Sequence, residues 1–532
     1  MTAQVPEESV LADTAWSKRR LYALTEKVGT AETTDDLSIP VHAPAFSEEI
    51  AAIPDLSEDE VDRTIEATRE ATESWREVPV SDRAEVFAAF ADLVSANREE
   101  LLDLVQLETG KSRTHALEET IDVPQSAEYY ANKGEKFLAP DSRGSAVPLV
   151  TSTEVHYDPV GVVGVISPWN YPLVLSVSDA VPALLAGNGV VLKPDDKTPF
   201  TALRLAELLD EAGLPEGVLS VVTGDGPTVG SALIDRVDYL TFTGSSGTGK
   251  IVAEQAGRNL IDCSLELSGK NPMVVLEDAD IGDAARGAVA GSFTNAGQLC
   301  LSTERIYVEE SVFEEFLDAF VEETESQTLG RGFEYDHTIG SLIDSDQLER
   351  VQEHVTDASE SGATVHTGGK ARPAVGPYYF EPTILTDLPD SSLPACEETF
   401  GPVVAVYPVG SAEAAVERAN DSDHGLNASV WSGDRERAME LAEEIEAGTV
   451  CVNDSYLAGW AAYDAPMGGV KESGIGRRHG PEGLHRYTAQ KTIGVSRVGG
   501  LGGSIPGVPD ELFARGFSAF SDAQRRLSRW RP

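Results

Sequence analysis

The sequence predicts an α/β protein made of two consecutive α/β units, each on a parallel sheet, preceded by helices. Three observations carry this. From Tyr157 onward, short apolar and β-branched runs (VGVVGVIS, GVVLKP, VLSVVTG, YLTFTG) alternate with helical stretches such as TALRLAELLDEAG and GKIVAEQAG. From Asn271 to about Gly476 the alternation resumes through NPMVVL, DAARGAVAGSFTN, RIYVEE, VFEEFLDAFVEET and TVHTGG. Strand–helix alternation of this kind builds a parallel sheet with helices on both faces. Ahead of both units, Ser57 to about Leu107 places apolar residues three and four apart in VDRTIEATREATESW and AEVFAAFADLVSANREELLDLV, the period of helices.

The two ends read differently. Residues 1–30 are polar and irregular and suggest a loose arm. After Thr492 a glycine-rich linker, RVGGLGGSIPG, leads into DELFARGFSAFSDAQRRLSRW, amphipathic and locally basic. That segment is expected to be a helix docked on the body or on a neighbouring subunit.

A chain of 532 residues exceeds one compact domain. Its 41 Lys+Arg against 89 Asp+Glu give a formal charge of −48, which repels nucleic acid and anionic membranes and implies neither as a partner. Such a surface stays soluble where salt screens self-repulsion, as in a halophile's cytosol. The acidic runs are read as solvated faces rather than metal sites. Cys263, Cys300, Cys396 and Cys451 show no CxxC spacing, and the nine histidines show no HExxH, so neither a disulfide framework nor a metal is expected. The first residues, MTAQVPEESVLADTAWSKRR, lack the apolar core of a signal peptide, and no run approaches the ~18 apolar residues of a spanning helix. The expected location is the cytoplasm, where thiols stay reduced and available for chemistry.

Two glycine turns resemble phosphate loops. Gly244-Ser-Ser-Gly-Thr-Gly249-Lys250-Ile251 nearly spells GxxxxGK[ST], but Ile251 has no oxygen for Mg²⁺, which leaves a P-loop NTPase as a distant alternative. The underlying geometry remains useful: a strand, a glycine turn, and a helix N-terminus whose free N–H groups attract phosphate. Gly224-Asp-Gly226-Pro-Thr-Val-Gly230 resembles GxGxxG with one residue too many, and alone it reads as a tight turn.

Two short segments say more. Leu265-Glu266-Leu267 sets a carboxylate between leucines, where burial raises its pKa toward the range of a general base. Gly297-Gln298-Leu299-Cys300 sets a cysteine at the end of a helical run, where it is expected to be exposed and activated as a thiolate. Singly, each has a plain structural reading, as a solvated strand-end acid or a packed small hydrophobe. Glu266 and Cys300 lie 34 residues apart, after a sheet with a phosphate loop, and the combination is specific.

From about Asp55 to Ile493 the chain resembles the aldehyde dehydrogenases. The motifs, in order, are Pro168-Trp169-Asn170-Tyr171-Pro172, Lys193-Pro194, Phe242-Thr243-Gly244-Ser245, Leu265-Glu266-Leu267, Gly297-Gln298-Leu299-Cys300, Glu397-Glu398-Thr399-Phe400-Gly401-Pro402 and Pro466-Met467-Gly468-Gly469. The resemblance implies a thiohemiacetal on Cys300, with its oxyanion held by the Asn170 side-chain amide and the Cys300 N–H. Hydride loss would leave a thioester, hydrolysed by water that Glu266 activates. For NAD or NADP it implies Lys193 on the adenosine ribose, Ser245 and the Gly244–Gly249 turn on the pyrophosphate, Glu398 on the nicotinamide ribose and Phe400 on the ring. Further cofactor contacts are expected at Ile166, Ser167, Pro168, Trp169, Gly226, Gly230, Phe242, Thr243 and Leu267. Asp196, three residues beyond Lys193, would accept from a 2′-hydroxyl and repel a 2′-phosphate, which inclines the choice to NAD.

The implied architecture is a Rossmann-type cofactor domain (30–145 and 160–268), an α/β catalytic domain (269–475) and a small β bridging element (146–159 with 486–497). An arm (1–29) and a tail (498–532) flank them, and the bridging edges are expected to join subunits into a homodimer or homotetramer. SPWNYPLVLSVSDAVPAL, FTGSS, NAGQLC and GIGRRHGPEGL most resemble the succinate-semialdehyde dehydrogenases, which makes succinate semialdehyde the expected substrate. Uncharged aliphatic or aromatic aldehydes are the alternative. Where better-known enzymes of that activity hold the substrate carboxylate with arginines, this chain has Ser178 and Thr294, leaving Arg477 or Arg478 as substitutes. Arg478 also stands where many relatives place a proton-relay glutamate, and Ser268 stands for a usual glycine. A catalytically silent relative is the remaining reading, against which Cys300, Glu266 and Asn170 all weigh.

Overall fold

A computed structural model describes residues 9–29, 37–145, 151–497 and 507–528. Contacts divide the chain into two units, Met1–Phe137 with Pro159–Tyr487 and Leu138–Asp158 with Thr488–Pro532.

The first unit holds two large sheets. One has six strands in the order Gly474–Ile475, Asp262–Glu266, Tyr239–Thr243, Val162–Ile166, Gly189–Lys193, Leu219–Val221. All pair in parallel except Gly474–Ile475. The strands VVGVI, GVVLK and YLTFT are buried nearly throughout because helices cover both faces. The chain runs outward from Val162–Ile166 through two strands, then returns to Tyr239–Thr243 on the other side. This reversal opens a crevice at the carboxyl ends of the two central strands, the place where such sheets bind ligands.

The other sheet has seven strands in the order Thr364–Thr367, Thr383–Thr386, Val403–Val409, Thr303–Glu309, Asn271–Val275, Asn427–Trp431, Thr449–Val452. Only Thr364–Thr367 is antiparallel. Its core interleaves Met273, Val274, Ile306, Val308, Val404 and Val406 with Phe293, Phe316 and Phe320. Each such side chain removed from water contributes about 1.5–3 kcal/mol.

Three parts of this unit differ from the sequence reading. The described arm, 9–29, is folded: Ser17 caps helix Lys18–Leu24, Leu21 and Leu24 are buried, and Trp16 Nε1 donates to Glu100 O at 2.8 Å. Sparse but well-spaced apolar residues outweigh the polar composition there. Strands Leu37–Ala43 and Glu48–Pro54 form an antiparallel hairpin that the sequence reading lacks. Helix Arg113–Leu138 was also missed, because it buries Arg113, Glu119 and Asp122 and so blurs the apolar period.

The second unit pairs Thr488–Ser496, Thr151–Pro159 and Asp141–Arg143 in one sheet. Residues 146–150 of the expected bridging element and 498–506 of the glycine linker lie outside the described residues. The tail forms helix Asp510–Ser528, with Leu512 and Phe517 exposed. No helix among the described residues is long and apolar enough to cross a membrane.

Candidate active site

The cysteine loop is shaped by backbone strain. Helix Ile281–Phe293 starts on Asp280, whose side chain accepts from Asp283 N. Past its end, Asn295 and Ala296 adopt φ of 53° and 55°, a left-handed pair costly for residues with a Cβ. Gly297 follows at φ 73°, where a Cβ would lie 2.1 Å from Gly401 O. The reversal presses Gln298 O against Asn170 Nδ2 at 3.1 Å. Lys111 Nζ and Asn295 Nδ2 donate to Asn170 O at 2.7 and 3.2 Å, and Asn271 Nδ2 donates to Cys300 O at 2.8 Å. Cys300 and Asn170 are thus fixed on one wall.

Glu266 ends the strand Asp262–Glu266 and is buried. Its Oε1 finds no hydrogen-bond partner among the described residues. Gly468, at φ 152°, packs so closely that a Cβ there would sit 2.9 Å from that oxygen. Burial pushes the carboxyl up to about 7, against the opposing pull of Arg478 and Arg486. The Cys300 thiol is pushed up to about 12, first by burial and then by the charges of Glu266 and Glu398. This corrects the expectation of an exposed, activated thiolate. The thiol is partly covered and lies among carboxylates, and both its burial and the charges of Glu266 and Glu398 oppose its ionisation.

A cleft of about 600 Å³ gathers eleven of the expected residues: Pro168, Trp169, Asn170, Thr243, Gly244, Ser245, Glu266, Leu267, Cys300, Glu398 and Phe400. The other eight lie off its walls. Ile166 ends its strand, and Ser167 N donates to Lys193 O at 3.1 Å. The Phe242 ring supports Gly244, and Gly249 packs on Leu267. Lys193 Nζ sits 3.7 Å from Asp196 Oδ1, which also accepts from Gly224 N at 3.2 Å. Gly226 and Gly230 bound a short turn that Asp225 caps by accepting from Thr228 N, and space is open at both.

The helix after the glycine turn, Ser246–Asn259, is capped by Ser245, which accepts from Thr248 N. Ser246 and Gly247 line the cleft; Ser246 N donates to Ser268 Oγ at 3.4 Å, and the Gly247 N–H at the helix start is the one left to a ligand. Lys250 instead pairs with Glu472 Oε2 at 2.8 Å, and Ile251 is 66% exposed, so this turn lacks the lysine and hydroxyl of a P-loop.

The sequence reading missed the braces of the Glu397–Pro402 loop. Phe400 is left-handed (φ 54°), Glu304 accepts from Thr399 N at 2.9 Å and Phe400 N at 3.0 Å, and Gln347 Nε2 donates to Phe400 O at 2.8 Å. Arg350 Nη2 donates to Glu398 O. Buried Lys270 pairs with Glu304 and reaches Glu397 O at 2.8 Å. Lys270 follows Leu265-Glu266-Leu267 by three residues, yet nothing in the sequence pairs it with Glu304. Gln347, Arg350, Ser268, Cys396 and His424 also line the cleft. Arg477 donates to Gly469 O and Gly476 O, Arg478 donates to Asp179 and Thr243, and neither lines the cleft.

Comparison with known proteins agrees with this geometry. Residues 31–493 match the aldehyde dehydrogenase family. A Mycolicibacterium smegmatis protein named "Putative succinate-semialdehyde dehydrogenase, NADP(+)" is 46% identical over 490 residues, 92% of this chain and 95% of that protein. A phenylacetaldehyde dehydrogenase of Pseudomonas fluorescens is 37% identical over 87% of this chain and 93% of its own length. The NAD+ complex of an aldehyde dehydrogenase from Bacillus cereus is 37% identical with a TM-score of 0.82, covering 86% of this chain and 93% of that one. With the thiol, the buried acid and the helix-start cleft assembled at the sheet's switch point, the chain belongs to the aldehyde dehydrogenase family, NAD(P)-dependent oxidoreductases of aldehydes.

Proposed function

We propose that Cys300 carries the oxidation of a small aldehyde to its carboxylic acid, with Glu266 completing the reaction by hydrolysis. The observation that carries this is one cleft holding a thiol, a buried carboxyl with an unpartnered oxygen and an amide donor, Asn170. The Cys300 sulfur bonds to the carbonyl carbon as its proton passes to water in the open cleft, and Glu266 is kept for the later hydrolysis. The Asn170 amide and the Cys300 N–H then hold the oxyanion. Loss of hydride leaves a thioester on Cys300, and Glu266 takes a proton from the water that cleaves it.

The residues fit NAD(P). The Gly247 N–H at the helix start offers a pyrophosphate site, half-buried Glu398 suits a ribose diol, and Trp169 stands edge-on to Phe400 at 5.5 Å where a flat ring needs walls. When bound, the cofactor supplies the hydride acceptor. Asp196, held near Lys193, inclines the choice to NAD+, although the Mycolicibacterium relative is named for NADP+. The relatives' names bring succinate semialdehyde forward as substrate. One observation favours the uncharged alternative: a cavity of about 260 Å³ behind Leu299 is lined by Glu118, Glu119, Asp122, Tyr171 and Trp460 and by no Lys or Arg. We further propose a cytoplasmic homo-oligomer suited to high salt, in keeping with the charge of −48.

The test is kinetic: succinate semialdehyde, glutarate semialdehyde, benzaldehyde and a medium-chain alkanal, each with NAD+ and NADP+ at high salt. Reduced cofactor from any of them is expected. A clear preference for the uncharged aldehydes removes the semialdehyde reading, and silence across the panel removes the dehydrogenase reading.

A further inference from the structure

Behind Glu266 lies a cluster of charges that do not balance. Arg478, 5% exposed, donates through Nε to Asp179 Oδ1 at 3.0 Å and through Nη2 to Asp179 Oδ2 at 2.7 Å and Thr243 Oγ1 at 2.6 Å. Arg486 also donates to Asp179, and Thr241 Oγ1 donates to it at 3.0 Å. Two guanidinium groups therefore share one buried carboxylate, and a positive charge is left over. An excess charge in a buried place is costly unless an opposite charge stands nearby.

The backbone supplies that neighbour. Thr243, the anchor of Arg478, is register-paired with Glu266 on the adjacent strand. Met467 and Arg478 exchange backbone hydrogen bonds at 2.8 and 2.6 Å, and this bridge presents Gly468 to the unpartnered Glu266 oxygen. The charged and titratable groups acting on Glu266 are Arg477, Arg478 and Arg486, with Asp179 opposing them, and the Cys300 thiol lies within its field. The Arg477 guanidinium is turned to the carbonyls of Gly469 and Gly476.

We propose that Arg478, clamped by Asp179 and Thr243, is a positioning residue whose guanidinium is the buried countercharge that keeps the Glu266 carboxylate ionised for thioester hydrolysis. Arginine stays protonated and cannot relay a proton as a glutamate in this place would. It acts instead through its fixed charge. The inference rests on the reading of Glu266 as the hydrolytic base.

The experiment isolates the second half-reaction. The full-length protein is acylated on Cys300 with p-nitrophenyl acetate, and loss of the acetyl group is followed by intact-protein mass spectrometry across the pH range. In the wild type the hydrolysis rate should rise with pH through a limb near 7, where the Glu266 carboxyl ionises. In Arg478→Gln the limb should move up by about one unit, giving hydrolysis about fivefold slower at pH 7, about tenfold slower well below it, and recovery in alkali. Arg478→Lys, which keeps the charge, should stay within about threefold of wild type. If Arg478→Gln does not fold, Arg486→Gln is read in its place and should shift the limb the same way, because Asp179 then absorbs the remaining charge. A limb unmoved in the folded neutral variant, a rate lost equally at every pH, or a lysine variant as shifted as the glutamine one would overturn the proposal. Failure of the underlying reading looks different: Glu266→Gln would then hydrolyse its acyl group as fast as wild type.

Discussion

Glu266 and Glu398 face the same cleft, and burial pushes both carboxyl groups up to about 7, yet they are held in opposite ways. Glu398 accepts from Gly269 N at 3.0 Å, and its main-chain carbonyl accepts from Arg350. Glu266 has a buried oxygen with no partner among the described residues and an excess of guanidinium charge behind it. A raised pKa therefore does not by itself mark a catalytic base. An unpaired oxygen left to meet water marks one, and a carboxylate anchored by a backbone N–H is better placed to hold a ligand.

The largest effect should come from Glu266→Gln. Turnover should fall by about 10³-fold while the first equivalent of reduced cofactor still forms rapidly, because only thioester hydrolysis needs the base. Stopped-flow absorbance separates the two phases, and loss of both together would erase the contrast with Glu398. The pH dependence carries the same sign: hydrolysis needs the ionised form, so steady-state rate should rise as pH passes upward through about 7.

Next comes the frame around Glu398. Lys270→Met leaves Glu304 buried without its countercharge and should lower stability by about 3–5 kcal/mol, read from urea unfolding. Unchanged stability would mean that the pair does not brace the loop. Glu398→Gln should cost about tenfold, chiefly in the KM for cofactor, because an anchored carboxylate that accepts from the cofactor loses binding rather than chemistry. The smallest effect is expected from Asp196→Ser, a modest gain of NADP+ over NAD+ in relative kcat/KM. No change there would leave Asp196 to its contact with Gly224.

The sequence was most legible where one segment carries its own signal. The strands from Val162 to Glu266 read as apolar runs because helices bury both faces, and Glu266 stood out as an acid between leucines. Cys300 could be found by its motif, but its protonation could not, since the carboxylates that oppose ionisation come from two other segments. The pairs Lys270–Glu304, Lys111–Glu119 and Arg478–Asp179 were equally hidden, each being a contact made only by folding. Helix Arg113–Leu138 was missed for the same reason, because charged residues buried through such pairs look exposed on paper.

The most direct test of the account is the reduction of NAD+ or NADP+ by the aldehyde panel at high salt, compared between wild type and Cys300→Ala. Wild-type protein should reduce the cofactor and, trapped by acid during turnover, carry an acyl group on Cys300, whereas Cys300→Ala should do neither. Cofactor reduction by Cys300→Ala at the wild-type rate would contradict it.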